Sequence, residues 1–254
     1  QMTEARYVVF KEFAGFLVRG SVPVPKPDKM DSHMRVAAWL TSQCESAKFG
    51  TVQSYDGAGM SGGLLHNIAV MPHDGLKQGT FFALLAAVRD FAPEAFAPIE
   101  SEFRARGWIL TDDGEVRNAA GARLPGAMIR SAFNGATDGK TPASGPEHES
   151  AKAWAIRFST LFSDPRTFGS QVDYAVSWLL SGKRDLELRA YQTFNPGMKV
   201  LAGLRRTELP ASVDLAMCVY HAFSVNAPAP AATALAAALD GMKKGSESRI
   251  ITLA

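Results

Sequence analysis

Asp56-Gly57-Ala58-Gly59-Met60-Ser61-Gly62-Gly63 is the stretch on which the reading of this chain turns. Four glycines in eight residues disfavour a helix, since glycine loses the most backbone freedom on ordering, and they favour a tight β-turn. Glu45 lies eleven positions upstream, where a predicted helix carrying Met34, Val36, Ala37, Trp39 and Leu40 runs out. Asp31 or Ser32 supplies that helix with an N-cap. A carboxyl at a helix end, followed by a second on a glycine-rich turn, is a pattern in which one group protonates and the other activates water. Each half also has an ordinary reading: a single Glu is usually solvated, and a D-G-x-G turn is usually only a hairpin.

Bulk properties narrow the setting. The chain has 254 residues, 46% hydrophobic and 20% charged, enough apolar material for a buried core and too much for global disorder. A net charge of +2, with Lys and Arg scattered rather than clustered, argues against a nucleic-acid-binding surface. The two cysteines, Cys44 and Cys218, lie far apart in apolar helical contexts. They pair only if their helices touch, and buried free thiols are the ordinary alternative. No apolar run approaches the ~18 residues of a membrane span. The chain begins at Gln1 rather than Met, which points to an excised or processed part of a longer polypeptide.

Around the glycine-rich turn the sequence organises into elements. Residues 6–19 are strongly apolar and read equally as a helix or a buried strand, and Pro23, Pro25 and Pro27 then make an extended connector. From Phe49 to Val70 the period shortens and glycines cluster, as in a small β-hairpin region. Helical spacing returns from Leu76 to Phe91, with Phe82, Leu85, Ala86 and Val88 on one face, and a short helix is expected from Ile99 to Arg106. Trp108-Ile109-Leu110 and Glu115-Val116-Arg117 flank a turn and predict a second hairpin. Residues 134–147 are rich in Gly, Pro, Ser and Thr and form the candidate mobile loop. Helices are expected at Ser150–Ser163, Pro165–Ser181, Pro210–Val225 and Pro230–Lys243. There is no internal repeat. The expectation is an α+β, mainly α chain, one domain over residues 1–254, with two lobes around a cleft.

A second segment gives the turn a context. The order helix, Glu, glycine-rich turn with Asp and a hydroxyl residue, then helices resembles the lysozyme-like superfamily. More narrowly, the stretch from Asp56 to Leu65 is similar to the D-G-x-G-x-T-G-G-[IL]-[IL] segment of chitosanases. About 160 residues later, Tyr220-His221-Ala222-Phe223-Ser224-Val225-Asn226-Ala227-Pro228 is similar to their Y-D-A-I-V-M-H-G-P segment. The two segments occur in the family's order, though together they cover only 19 residues. The resemblance implies a lysozyme-like fold and glycosidic-bond hydrolysis, with Glu45 as general acid and Asp56 as the base that deprotonates water. Ser61 then stands where the family has a threonine that places that water; serine keeps the hydroxyl and loses the methyl that stiffens it. The acid requires a raised pKa, for which Trp39, Leu40 and Phe49 are candidate desolvating neighbours. The family inverts configuration, which requires carboxyls roughly 6.5–9.5 Å apart or more.

Other residues near the two segments are candidate substrate contacts. Tyr55 is placed to stack on a sugar ring or to pack in the core. His66 and Asn67 follow the turn, where His66 is equally a buried structural histidine. Tyr220, His221 and Asn226 belong to the second segment, and Asn226 either bonds a sugar substituent or caps the helix after Pro230. No H-E-x-x-H, paired C-x-x-C or phosphate loop appears, so no metal or cofactor is implied.

The departures from the chitosanase pattern bear on the substrate. That family resembles itself in acidic residues just before the turn, where this chain has Val52, Gln53 and Ser54. A neutral approach on a net positive chain suits an anionic or N-acetylated glycan better than a polycation. The expectation is a peptidoglycan muramidase cleaving between N-acetylmuramic acid and N-acetylglucosamine. It would act in the bacterial periplasm or cell wall as a secreted toxin or phage lysin, with an immunity or inhibitor protein as a candidate partner. A chitosanase, a lytic transglycosylase using Glu45 alone, and a non-catalytic wall-binding domain are the alternatives.

Overall fold

The computed structural model describes residues 7–10, 15–26, 35, 38–39, 41–43, 47–54, 57–72, 74–134 and 145–180. They form a mixed helix and antiparallel-sheet protein, as the α+β expectation requires. Contacts divide the chain into two compact units: Gln1–Val24 with Ser46–Gln171, and Pro25–Glu45 with Val172–Ala254.

The first unit opens with strands β1 (Tyr7–Phe10) and β2 (Gly15–Val18), so residues 6–19 adopt the strand alternative. Short strands β3 (Val22–Pro23) and β4 (Lys48–Phe49) pair with each other. Strands β5 (Val52–Gln53), β6 (Ser61–Gly62) and β7 (Asn67–Ile68) follow and complete a five-stranded antiparallel sheet in the order β1-β2-β5-β6-β7. Its register aligns Val18 with Val52, Val52 with Gly62, and Gly62 with Asn67. The hairpin region expected at residues 49–70 thus supplies three strands, β5 to β7, at one end of a larger sheet. Strands β8 (Val70–Met71) and β9 (Lys77–Gln78) form a further hairpin, closed by an exposed Lys77–Asp74 ion pair of 2.9 Å.

Helix α1 (Thr80–Phe91) therefore starts four residues after the expected Leu76, because residues 77–78 are committed to β9. From Phe81 to Val88 it is apolar on every side, and Thr80 through Ala86, with Val88, is buried, while Arg89 and Asp90 follow in the last turn. Two apolar turns without a polar face have to be covered on every side. Helix α2 (Pro93–Ala105) extends the expected Ile99–Arg106 helix toward its N-terminus, with Pro93 in the first turn. It runs through Pro98 and buries Phe96, Ile99 and Phe103. β10 (Trp108–Leu110) and β11 (Val116–Asn118) make the expected second hairpin.

Helix α3 (Gly126–Asn134) has no counterpart in the sequence reading. Its apolar signal is short: Ile129 and Phe133, four apart, are its buried hydrophobic residues. Helix α4 (Gly145–Ser163) starts inside the segment expected to be a loop and buries Ala151, Trp154, Ala155, Phe158 and Phe162 on one face. A 3-10 turn (Pro165–Thr167) capped by Asp164 leads into α5 (Phe168–Leu180), so the single expected helix from Pro165 is broken near its start. The helices expected at Pro210–Val225 and Pro230–Lys243 lie outside the described residues, as do Cys44 and Cys218.

The core is aromatic. Phe81 lies at its centre and meets Phe82, Phe133, Phe158 and Phe162 edge-to-face at 4.9–6.4 Å between ring centres. Trp154 stacks on Phe158 (5.4 Å) and Trp108 (6.4 Å), with the Arg106 and Arg157 guanidinium groups 5.3 and 5.8 Å from its ring. Phe49 stacks on Phe168 at 4.1 Å. In the second unit residues 35, 38–39 and 41–43 are helical, as expected for the helix before Glu45. There Ser42 donates to the Trp39 carbonyl, Lys26 sits 5.9 Å from the Trp39 ring, and Arg35 pairs with Asp173 at 3.3 Å. No helix among the described residues is long and apolar enough to cross a membrane.

One buried amide ties the β10–β11 hairpin to the rest. Gln78 donates to the carbonyls of Val116 and Leu124 and accepts from the Val116 N–H at 2.7 Å. Gln78→Leu keeps the volume but leaves a buried N–H unpaired. We expect it to destabilise the protein by about 2–3 kcal/mol, read from denaturant unfolding.

Candidate active site

The chain between β5 and β6, residues 54–60, is the turn that the sequence singles out. Tyr55 and Asp56 lie outside the described residues, as do Glu45, Tyr220, His221 and Asn226. The flanks of Asp56 are well defined. On one side Ser54 is fully buried at the end of β5, and its hydroxyl donates to the Phe133 carbonyl of α3 at 3.4 Å. On the other, Gly57 and Gly59 have φ of +80° and +75°. The Val70 N–H donates to the Ala58 carbonyl (3.1 Å), and the Ala69 N–H donates to the Met60 carbonyl (2.8 Å). Gly59 is doubly constrained: besides its positive φ, a Cβ there would fall 2.9 Å from the Arg130 Cα. The glycine-rich stretch thus has the backbone of a tight turn at Gly57, Gly59 and Gly63, whereas Gly62 lies in β6 without a positive φ. Gly57 and Gly59 let the turn lie directly on α3 and on the β7–β8 segment.

Three sequence-derived site residues come together on the β6–β7 hairpin. Ser61 lies in β6, opposite Gln53 and Ile68, and is 1% exposed. Asn67 lies in β7 opposite Gly62 and is also buried, with its side-chain oxygen lacking a hydrogen-bond partner. His66 closes the tight turn between them, its N–H donating to the Gly63 carbonyl at 3.1 Å with a left-handed φ of +45°. All three are held inside the hairpin rather than spread over an exposed face.

Burial also sets the charge of the hairpin. Loss of solvation favours the neutral imidazole and pushes His66 down to about 4. Of the apolar residues expected near Glu45, Leu40 lies outside the described residues, Trp39 is half-buried, and Phe49 is buried against Phe168. Among the described residues no group of three His, Cys, Asp or Glu side chains is placed to hold a metal ion. The sequence reading missed Arg130 and Asn134, both on α3. Asn134 is 1% exposed, and neither its amide oxygen nor its amide nitrogen has a hydrogen-bond partner. The signal available was the Ile129/Phe133 spacing, too short to announce a helix.

Comparison with protein-family models, with curated proteins and with solved structures finds no match to this chain.

Two outcomes follow from this geometry. Gly59→Ala adds a left-handed penalty to a backbone clash, and we expect a loss of about 2–3 kcal/mol by chemical denaturation. His66 has the opposite sign from a salt-bridged histidine. Its folded pKa lies below the unfolded value of 6.5, so the unfolded state binds the extra proton and stability falls as pH drops from 6.5 toward 4. The full effect is roughly 3 kcal/mol. His66→Asn, whose side chain tolerates positive φ, is expected to flatten that part of a stability–pH curve measured by thermal unfolding.

Proposed function

We propose that this chain is a glycoside hydrolase of bacterial peptidoglycan, a muramidase with a lysozyme-like arrangement of helix, carboxyl and β-turn. The observation that carries the reading is the order Glu45…Asp56-x-x-x-x-Ser61 on its elements. The described helical residues end at Gln43, two before Glu45; β5 ends at Gln53, three before Asp56; and Ser61 opens β6.

On this reading Glu45, protonated, donates its proton to the glycosidic oxygen as the bond to the anomeric carbon breaks. Asp56, ionised, takes a proton from the water whose oxygen attacks that carbon from the opposite face. The products are a hemiacetal of inverted configuration and a free 4-hydroxyl, with Glu45 left ionised and Asp56 protonated until solvent resets both. Ser61 hydrogen-bonds the attacking water.

The choice of peptidoglycan over chitosan rests on the strand leading to Asp56. Val52 and Ser54 are buried and Gln53 is uncharged, so β5 offers no carboxylate to a polycationic substrate. N-acetylated sugars would be held by amide and aromatic groups, for which Tyr55, His66, Asn67, Tyr220, His221 and Asn226 are the candidates. The site of action is the bacterial wall, and an inhibitor or immunity protein is the partner such an activity would require in a producing cell.

Digestion of purified peptidoglycan, followed by borohydride reduction and mass spectrometry, tests the reading. Wild type is expected to release fragments with reduced muramic ends. Glu45→Gln and Asp56→Asn are each expected to lose roughly 100-fold or more of that rate, with the melting temperature little changed. Anhydro ends would identify a lytic transglycosylase, and preferential cleavage of chitosan would identify a chitosanase. Equal wall binding by all three proteins without any release would identify a binding module.

A further inference from the structure

The helical residues of the second unit bury one side and leave the other in water. Ala38, Thr41 and Ser42 are no more than 1% exposed, whereas Arg35 and Gln43 are exposed and Trp39, midway between them, is half-buried. Positions 35, 39 and 43 are spaced four apart, which sets their side chains in one row along the helix. A half-buried indole leaves apolar surface in water that a partner ring can cover with a gain in free energy. An exposed Lys26 stands over this one, its Nζ 5.9 Å from the ring centre. Arg35 is neutralised by Asp173 at 3.3 Å, but among the described residues no carboxylate pairs with Lys26. Gln43, one helical turn from Trp39, donates its amide N–H groups to the Trp39 carbonyl (3.4 Å) and the Ser42 hydroxyl (3.2 Å), which leaves its amide oxygen as an acceptor. An aromatic face, a cation above it and an amide acceptor one turn away match a ring that is apolar on one face, hydroxylated at its rim and carboxylated.

We infer that Trp39, Lys26 and Gln43 form a subsite for a carboxylate-bearing sugar. The indole stacks on the apolar face of the pyranose, Lys26 pairs with the carboxylate, and Gln43 accepts from a hydroxyl or an N-acetyl N–H. The inference rests on the reading of the chain as a peptidoglycan hydrolase and narrows it. Of the two sugars in that polymer, N-acetylmuramic acid alone carries a lactyl group, whose carboxyl is free once the attached peptide has been hydrolysed away. The subsite therefore favours peptide-free strands, the product of an amide-cleaving reaction. Lys26 supplies discrimination more than affinity, since an exposed ion pair is worth little beside the burial of an indole face. One unmatched cation beside a neutralised arginine gives no track for a phosphate backbone, so a sugar fits better than a nucleic-acid base.

Nitrogen-15 NMR of the full chain tests this without relying on turnover, using the Trp39 indole N–H signal, identified by its loss in Trp39→Phe. The probes are the disaccharide of N-acetylglucosamine linked to N-acetylmuramic acid and the neutral N,N′-diacetylchitobiose. Both are expected to move the signal, the acidic one with an affinity about 3- to 10-fold higher. Lys26→Met is expected to abolish that preference by weakening the acidic sugar alone, and Lys26→Arg to retain it. Trp39→Ala is expected to lose both sugars by calorimetry, and added salt to shrink the preference. Equal affinities in wild type, a preference that survives Lys26→Met, or a Trp39 signal that neither sugar moves overturns the inference. Tighter binding of a short single-stranded oligonucleotide than of either sugar overturns it as well. Should Trp39→Ala fail to fold, Lys26→Met, at an exposed position, decides the matter alone. Wall digestion by wild type separates the two claims. The acidic-sugar preference without release of fragments would retain the subsite and remove the glycosidase reading. Release without the preference would do the reverse.

Discussion

Between Phe81 and Val88 helix α1 is apolar around its whole circumference, and burying that stretch is the constraint on which the first unit depends. Its hydrophobic face has no boundary, so water must be excluded on every side, and no single neighbouring layer can do this. The chain meets the demand with aromatic side chains drawn from different elements. Phe133 comes from α3, Phe158 and Phe162 from α4, and each presents an edge or face to Phe81. Edge-to-face contacts fix ring orientation as well as distance. The cluster therefore sets how α3 and α4 lie on α1, not only that they are buried.

That packing reaches the glycine-rich turn through α3. Phe133 is held in the core by its ring, while its carbonyl, on the same residue, accepts from Ser54 at the end of β5. Arg130, one turn earlier, lies against Gly59. The turn is consequently clamped by a helix that is itself anchored by the aromatic cluster. Its other support is the backbone pairing of Ala58 and Met60 with Val70 and Ala69.

Residues differ in how far their sequence context predicted their place. The β-turn at Gly57–Gly63 was legible because positive φ at Gly57, Gly59 and Gly63 leaves glycine as the favoured residue. The β10–β11 hairpin was legible from its turn, and α4 from apolar residues recurring at helical spacing. Helix α3 was not legible, because nine residues with a single large apolar pair at helical spacing, Ile129 and Phe133, are too short a run to show a period. The start of α1 was misplaced since Lys77 and Gln78 fit a helix locally, and only pairing with Val70 and Met71 commits them to a strand. His66 was left open between a sugar contact and a buried residue. The structure places it half-buried in a tight turn, where loss of solvation favours the neutral imidazole.

Local patterns by themselves determined the class of the protein, the glycine-bearing turn, the two hairpins and the helical character of the region before Glu45. These rest on interactions within a few residues of one another, which neighbouring side chains encode directly. Tertiary structure decided that Tyr7–Phe10 and Gly15–Val18 are strands of a five-stranded sheet, that α3 exists, and that Arg130 and Phe133 stand beside the turn. Each of these depends on partners distant in the chain, such as Val18 with Val52, Ser54 with Phe133 and Gly59 with Arg130. Such pairings are chosen by the burial of the whole core, and no local pattern records them.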